Sequence, residues 1–206
     1  MSIRIKFCGF TNAEDIRIAA SLDIHAIGVV HYIGSKRHVP LEKMPEFRTL
    51  IASDKTLVAL FVNPTQTDVL NVIEKLQPDL LQFHGDESDA FCTQFGMPFI
   101  KAMAMGEGAG DIFQRQLNYP NATAFLLDGH APGGLGGAGH SFTWCEPILL
   151  NKPMYLAGGL TPENVAEAIA LIKPFAVDVS SGIESAPGKK DIKKMQEFIL
   201  AIHTIS

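Results

Sequence analysis

The chain alternates between short apolar runs and longer runs whose apolar positions fall three and four residues apart. The first pattern is typical of buried β-strands and the second of amphipathic α-helices. The short runs predict eight strands, over residues 3–8, 24–30, 56–62, 79–83, 98–104, 123–127, 154–157 and 175–179. The longer runs predict a helical stretch after each strand, over 12–22, 41–51, 63–76, 86–95, 109–117, 143–150, 161–172 and from 191 onward.

Residues that favour helix starts support several of these boundaries. A capping residue accepts a hydrogen bond from a free backbone amide, and proline suits the first helical position. Such starts are predicted at Thr11 with Glu14, at Asn63 with Pro64, at Asp86, and at Thr161 with Pro162.

Eight strands that each precede a helix favour a closed parallel (β/α)8 TIM barrel in the α/β class. The alternative is an open doubly wound sheet, which usually has fewer strands and a recognisable switch point. A typical barrel has about 250 residues, so these 206 residues predict a compact barrel with short loops. No linker-like stretch divides the chain, which predicts a single domain over 1–206.

Charge and cysteine content narrow the function classes. The net charge of −5 provides no basic surface for nucleic acid. No apolar run approaches the roughly 20 residues of a membrane span, and the first residues lack a signal-peptide pattern. Cys8, Cys92 and Cys145 are odd in number and far apart, which argues against disulfides and a zinc site. We therefore expect a cytoplasmic protein, with Cys92 and Cys145 as structural residues.

The first strand carries a cysteine at a notable position. Ile5 and Phe7 lie on one face of the strand, and Lys6 and Cys8 lie on the other. Gly9 ends the strand, so Cys8 is expected at its carboxyl end, facing into the barrel. Chemistry in parallel α/β folds is found at that end. The alternative is that Cys8 only fills space in the core.

Polar residues also follow the other predicted strands. Each has an ordinary explanation by itself, such as a loop charge or a turn former. Because the carboxyl ends of the strands meet at one mouth of a barrel, the whole set predicts a functional site there. The set comprises Cys8, Arg37, His84, Asp128 and Asp178.

Glycine-rich turns after the last three strands predict a phosphate site. Glycine lets backbone amides approach an anion, and serine hydroxyls add donors. The loops after the seventh and eighth strands commonly bind phosphate in barrels, although tight turns alone also use glycine. The candidates are Gly158, Gly159, Ser180, Ser181 and Gly182, with Gly137 and Gly139 of the loop 133–139 as a second arm.

Seven motifs together resemble one enzyme family along nearly the whole chain. They are KFCGFT, GSKRHV, FVN, QFHGDE, GGAGHSFTW, LAGGLTPENV and DVSSGIESAPGKKD, and they are similar to the phosphoribosylanthranilate isomerase family of tryptophan biosynthesis. Ala138 and Thr143 depart from the usual family pattern, which has a hydroxyl residue and an aspartate there.

The resemblance implies an Amadori rearrangement of N-(5-phosphoribosyl)anthranilate, with Asp128 as general acid and Cys8 as general base. It also implies that Arg37 binds the anthranilate carboxylate, and that His84 and Asp178 position the substrate. No metal or other cofactor is expected, and the partner is a phosphorylated small molecule; the protein is expected to be a monomer or homodimer. The charge of Lys6 would favour the Cys8 thiolate, so the thiol pKa should be lowered or its proton taken up in concert.

Two rival functions use the same fold. Another sugar-phosphate isomerisation would keep the barrel and the phosphate site but not the carboxylate site. A catalytically silent sensor of a phosphorylated ligand would need neither the thiol nor the acid. The presence of both Cys8 and Asp128 favours the isomerase.

Overall fold

The computed structural model describes residues 3–106, 111–129 and 150–205. Eight parallel strands form a closed barrel in chain order. They are β1 (Arg4–Cys8), β2 (Ala26–Val30), β3 (Thr56–Phe61), β4 (Leu80–Phe83), β5 (Phe99–Ala104), β6 (Ala124–Asp128), β7 (Met154–Leu156) and β8 (Ala176–Val179). This confirms the predicted TIM barrel and rules out the open sheet, because β8 pairs with β1.

Helices pack around the barrel on its outer face. They are α1 (Ala13–Ala20), α2 (Met44–Thr49), α3 (Gln66–Leu76), α4 (Asp89–Thr93), α5 (Ile112–Gln116), α6 (Val165–Ile172) and α7 (Ile192–His203). A small antiparallel hairpin, β9 (Glu184–Ala186) and β10 (Lys189–Lys190), follows β8. None of the helices in the described ranges combines the length and the apolarity needed to cross a membrane.

The alternation of side chains along each strand separates two layers of core. Outward residues pack against helices, as where the Phe7 ring meets the Phe198 ring of α7 edge to face at 5.9 Å. Inside the barrel, small and branched residues fill the centre: Ile100, Ala102, Ala124, Leu126 and Ala157. The prediction that Ile5 and Phe7 face the helices while Lys6 and Cys8 face inward is confirmed.

Two predicted helix starts are wrong because distant residues take the capping groups. The Thr11 hydroxyl donates to the Gly188 carbonyl at 2.6 Å, and Asn12 caps α1 instead by accepting from the Asp15 amide. The Asn63 side chain accepts from the Asp86 amide at 2.7 Å. As a result α3 begins later than predicted.

The actual caps lie one to three residues further along the chain. Thr65 and Asp68 form a reciprocal capping box at the start of α3. Ser88, not Asp86, caps α4 by accepting from the Phe91 amide. The predicted Thr161 start is replaced by a turn, and α6 begins only at Val165.

The predicted helix over 143–150 lies outside the described residues except for Leu150, and so does Cys145. That the whole chain is one domain stays a prediction.

Candidate active site

Cys8 lies at the carboxyl end of β1, inside the mouth of the barrel. Its side chain packs with Val30 and Leu60, and the residue is only 3% exposed. Gly28 of β2 is its paired neighbour, and a Cβ atom there would lie 2.6 Å from the Cys8 sulfur. The absence of a side chain at Gly28 therefore leaves the space that the thiol occupies.

An ion pair lies directly below this thiol. Lys6 donates to Asp178 at 2.9 Å, and both side chains are buried. The two residues are paired neighbours across the seam between β1 and β8, so strand register brings them together. Burial alone would lower the pKa of Lys6, but the charges of Asp178 and Cys8 raise it, and Lys6 is therefore a permanent cation.

Several opposing influences set the Cys8 pKa. Burial raises it most, Lys6 lowers it through its charge and a hydrogen bond, and Asp178 raises it again. The net pKa is raised, so the expectation of a lowered thiol pKa is wrong: desolvation outweighs the lysine. The alternative expectation, that the proton is taken up in concert with the reaction, stays a prediction.

We expect Lys6→Met and Asp178→Asn to move the Cys8 pKa in opposite directions. Losing the cation should raise the pKa further, whereas losing the anion should lower it. The measurement is the rate of alkylation by iodoacetamide against pH, in a Cys92→Ala, Cys145→Ala background that leaves Cys8 as the single thiol. Shifts of the same sign in the two variants would contradict this account.

Asp128 ends β6 and meets His84, which follows β4. The His84 Nε2 atom lies 3.3 Å from an Asp128 carboxylate oxygen. The other ring nitrogen, Nδ1, lies 3.3 Å from the Gln82 side-chain nitrogen, and Gln82 is fully buried inside the barrel. If the amide donates to Nδ1, the proton of the neutral ring sits on Nε2 and points at Asp128. Gln82 precedes His84 by two residues, so the two side chains lie on the same face. Gln82 was not identified as a site residue from the sequence.

Gly158 brings the loop after β7 against this carboxylate. Its φ of +87° lies in the left-handed region, and a Cβ atom there would overlap the Gly129 amide and lie 3.0 Å from Asp128 Oδ1. A side chain at this position would collide with the Gly129 backbone and crowd the Asp128 carboxyl group. Gly158 is thus needed for the position of Asp128. This role is separate from the predicted binding of phosphate by Gly158, which stays a prediction.

The loops after β7 and β8 touch each other at a glycine. A Cβ atom on Gly182 would overlap the Leu160 carbonyl oxygen. Gly159 has a φ of +70°, and its carbonyl accepts from Asn164 at 2.9 Å, which holds the turn in shape. The Ser180 hydroxyl is buried without a hydrogen-bond partner in the described part of the chain. Ser181 begins the short 3-10 turn beside it, and Gly137 and Gly139 lie outside the described residues.

Arg37 also reaches the mouth, but it is already paired. Its Nε and one terminal nitrogen each donate to a different oxygen of Glu184 at 2.7 Å. Lys190 donates to the same carboxylate at 2.9 Å. The sequence prediction missed Glu184 and Lys190, although both belong to the quoted run DVSSGIESAPGKKD. Glu184 lies 147 residues from Arg37 in the chain, so no local sequence pattern indicates that the two are in contact.

Known proteins match this chain over nearly its whole length. A family model described as N-(5'-phosphoribosyl)anthranilate isomerase matches residues 5–201. The chain belongs to this isomerase family. A relative from Stenotrophomonas maltophilia (strain R551-3), named N-(5'-phosphoribosyl)anthranilate isomerase, is 47% identical over 199 residues, which cover 95% of this chain and 91% of that one.

Solved structures of the phosphoribosylanthranilate isomerase family have the same fold. The enzyme from Thermotoga maritima is 34% identical with a TM-score of 0.84, covering 98% of this chain and 99% of that one. A second structure is a complex with reduced 1-(o-carboxyphenylamino)-1-deoxyribulose 5-phosphate; it is 32% identical, has a TM-score of 0.80 and covers 98% and 99%. This chain is therefore an isomerase of tryptophan biosynthesis by family.

The strand order explains how the isomerase mouth is arranged. Cys8 on β1 and Asp128 on β6 are three strands apart around the closed ring, so they lie on different sides of the opening. Lys6 lies below Cys8 and pairs with Asp178, and His84 adjoins Asp128. A substrate in the mouth would have the thiol on one side and the carboxyl group on the other.

Proposed function

We propose that this mouth isomerises N-(5'-phosphoribosyl)anthranilate, with Asp128 as general acid and Cys8 as general base. The observation that carries the proposal is the placement of a thiol and a carboxyl group on different sides of one opening, each at a strand end. Proton transfer from both sides of a bound sugar requires such an arrangement.

The rearrangement needs two proton transfers. Asp128 first gives a proton to the furanose ring oxygen, so that the ring opens and the nitrogen forms a protonated Schiff base. Cys8 then removes the proton from carbon 2, and the electron pair moves to the nitrogen to form an enolamine. This tautomerises to the 1-deoxyribulose product, with no change in oxidation state overall. The protonated Schiff base makes the carbon 2 proton more acidic, so the thiolate form of Cys8 can accept it and become the thiol.

Neighbouring residues of the mouth support the proposed roles of Cys8 and Asp128. The Lys6 cation favours the thiolate form of Cys8, which is the form that accepts the proton, and Asp178 holds that lysine in place. His84 holds the Asp128 carboxyl group from the side away from Gly158. These groups are already arranged, so little reorganisation is needed when charge develops.

The substrate carries two anionic groups, and the mouth offers a site for each. We assign the phosphate to the turns at Gly158, Gly159 and 180–182, where the Ser180 hydroxyl is an available donor. Gly137 and Gly139 remain candidates for the same site. We assign the anthranilate carboxylate to Arg37, because a guanidinium fork matches a planar carboxylate. The free thiols of Cys8 and Cys92 suit a reducing, cytoplasmic setting.

Turnover of three compounds tests this function. The purified protein should abolish the fluorescence of N-(5'-phosphoribosyl)anthranilate, whereas analogues that lack the phosphate or the carboxylate should each lose kcat/KM. If the aniline analogue without a carboxylate reacts equally well, the mouth serves another sugar-phosphate isomerisation. If no compound reacts in a folded protein, the barrel is a silent binding protein.

A further inference from the structure

Glu184 controls which edge of the Arg37 guanidinium is available. An arginine head has five N–H donors in a fixed plane. Glu184 uses the Nε donor and one donor of Nη2, both at 2.7 Å. Among the described residues, the Nη1 group has no hydrogen-bond partner. One edge of the fork is thereby occupied, and the edge formed by Nη1 and Nη2 remains for a second carboxylate.

The ion pair with Glu184 restrains the head of the Arg37 side chain, which is only 13% exposed. The stem crosses Gly9, where a Cβ atom would overlap the Arg37 Cδ atom. Gly9 has a φ of +80°. An arginine side chain has several rotatable bonds, so an unrestrained head would sample many positions. The two hydrogen bonds to a carboxylate that is only 4% exposed select one of them.

Lys190 connects this pair to the loop after β8. Its fully buried ammonium group donates to Glu184 at 2.9 Å and to the Ser180 carbonyl at 3.1 Å. Ser180 belongs to the turn to which we assign the phosphate. Glu184 therefore touches the residue proposed for the carboxylate and, through Lys190, the loop proposed for the phosphate. Its single negative charge is shared by two cations.

The charges explain why the carboxylate stays ionised. Burial alone would raise the pKa of Glu184, but the Arg37 hydrogen bond and the Lys190 charge outweigh burial and lower it. The pKa of Arg37 is raised chiefly by its hydrogen bond to Glu184. Arg37 and Glu184 are therefore both charged at neutral pH. Burial lowers the pKa of Lys190, and the charge and hydrogen bond of Glu184 oppose that effect.

We propose that Glu184 is a positioning residue that aims the free edge of Arg37 at the substrate carboxylate and sets the distance from that carboxylate to the phosphate loop. It touches no reacting atom. The proposal rests on the assignment of the anthranilate carboxylate to Arg37. It assigns a task to a buried acidic residue that the acid–base chemistry does not use.

The test is the Glu184→Gln variant. The amide has one acceptor oxygen in place of two, so the fork contact is lost while the volume stays the same. KM for N-(5'-phosphoribosyl)anthranilate should rise about tenfold, the worth of one charge-assisted hydrogen bond, and kcat should change far less. KM for the aniline analogue should stay close to that of the parent protein, since this compound has no carboxylate to aim at.

Asp15→Asn is the matched control. Asp15 is another buried carboxylate, and it accepts from the Lys190 backbone amide at 2.8 Å without contacting Arg37. The same chemical change at Asp15 should lower Tm and leave KM for both compounds unaltered. A merely structural role of Glu184 predicts the same behaviour in Glu184→Gln, namely a lower Tm with unaltered KM, and that result would overturn the proposal.

A double-mutant cycle separates this proposal from the function on which it rests. Arg37→Ala should raise KM, and adding Glu184→Gln to it should raise KM no further. If Arg37→Ala raises KM but Glu184→Gln does not, only the Glu184 proposal fails. If Arg37→Ala leaves KM unaltered, the carboxylate assignment fails first and the Glu184 role fails with it. Should Glu184→Gln not fold, Glu184→Asp keeps the buried charge but withdraws it from the fork, and its KM carries the same test.

Discussion

Replacing Cys8 by serine should lower kcat by at least about a hundredfold, the usual contribution of a positioned general base. A hydroxyl group is far less acidic than a thiol, so it forms no useful base at neutral pH. The change in size is small, and the space beside Gly28 accepts either group. KM should remain close to the parent value, because the role belongs to the transition state.

The other described thiol supplies the control. Cys92 of α4 is also fully buried, and burial raises its pKa to about 12. Cys92→Ser makes the same substitution away from the mouth, so it should lower Tm and preserve kcat. In the parent protein, kcat/KM should increase with pH on the limb that belongs to Cys8, since the thiolate fraction grows toward its raised pKa. Unimpaired kcat in Cys8→Ser would show that another group is the base.

Replacing Asp128 by asparagine should have a comparable effect on turnover, roughly a hundredfold or more. The amide keeps the shape of the side chain and can still bond to His84, so the mouth should remain intact. It has no acidic proton to give to the ring oxygen, and ring opening should therefore become the slow step. Substrate affinity should be nearly unaltered.

Asp86→Asn is the control for this variant. Asp86 lies exposed on the loop after β4, so the same loss of a carboxylate there should leave kcat at the parent value. A pre-opened substrate analogue with an acyclic sugar offers a second readout. Asp128→Asn should process it with much less loss than the ring-closed substrate. Equal losses on both compounds would mean that Asp128 does not act at ring opening.

The barrel was predictable because its pattern is local. Alternation along β1 separates Phe7 from Cys8, and the same period repeats in the other strands. Strand ends then converge by topology alone, which is why Cys8 and Asp128 could be placed at one mouth in advance.

The helix starts were less predictable because capping groups have competing partners. Thr11 has the right chemistry for a cap, but its hydroxyl meets Gly188, a residue 177 positions later. Asn63 is drawn away in the same manner by the Asp86 amide, and it adopts a φ of +46°. Local sequence shows which groups can cap a helix, whereas the fold decides which of them are free to do so.

From the sequence, one could predict only the direction in which a single charged residue shifts the pKa of its neighbour. Lys6 does favour the thiolate, as its spacing from Cys8 suggests. The net result also depends on burial beside Val30 and Leu60, which come from other strands. The pairing of Arg37 with Glu184 likewise follows from the hairpin after β8, and no spacing rule indicates it.

Polar contacts of the mouth join the first part of the barrel to β8 and the hairpin after it. Lys6 meets Asp178 across 172 residues, and Arg37 meets Glu184 across 147. During synthesis Lys6 and Cys8 are therefore made long before Asp178, and Arg37 long before Glu184. Closing such long loops also carries an entropic cost that is met only when β8 docks on β1. Products that stop before β8 would thus have an unpaired Lys6 and no closed barrel, so enzyme activity in a cell reports only on polypeptides that extend past β8 and have closed.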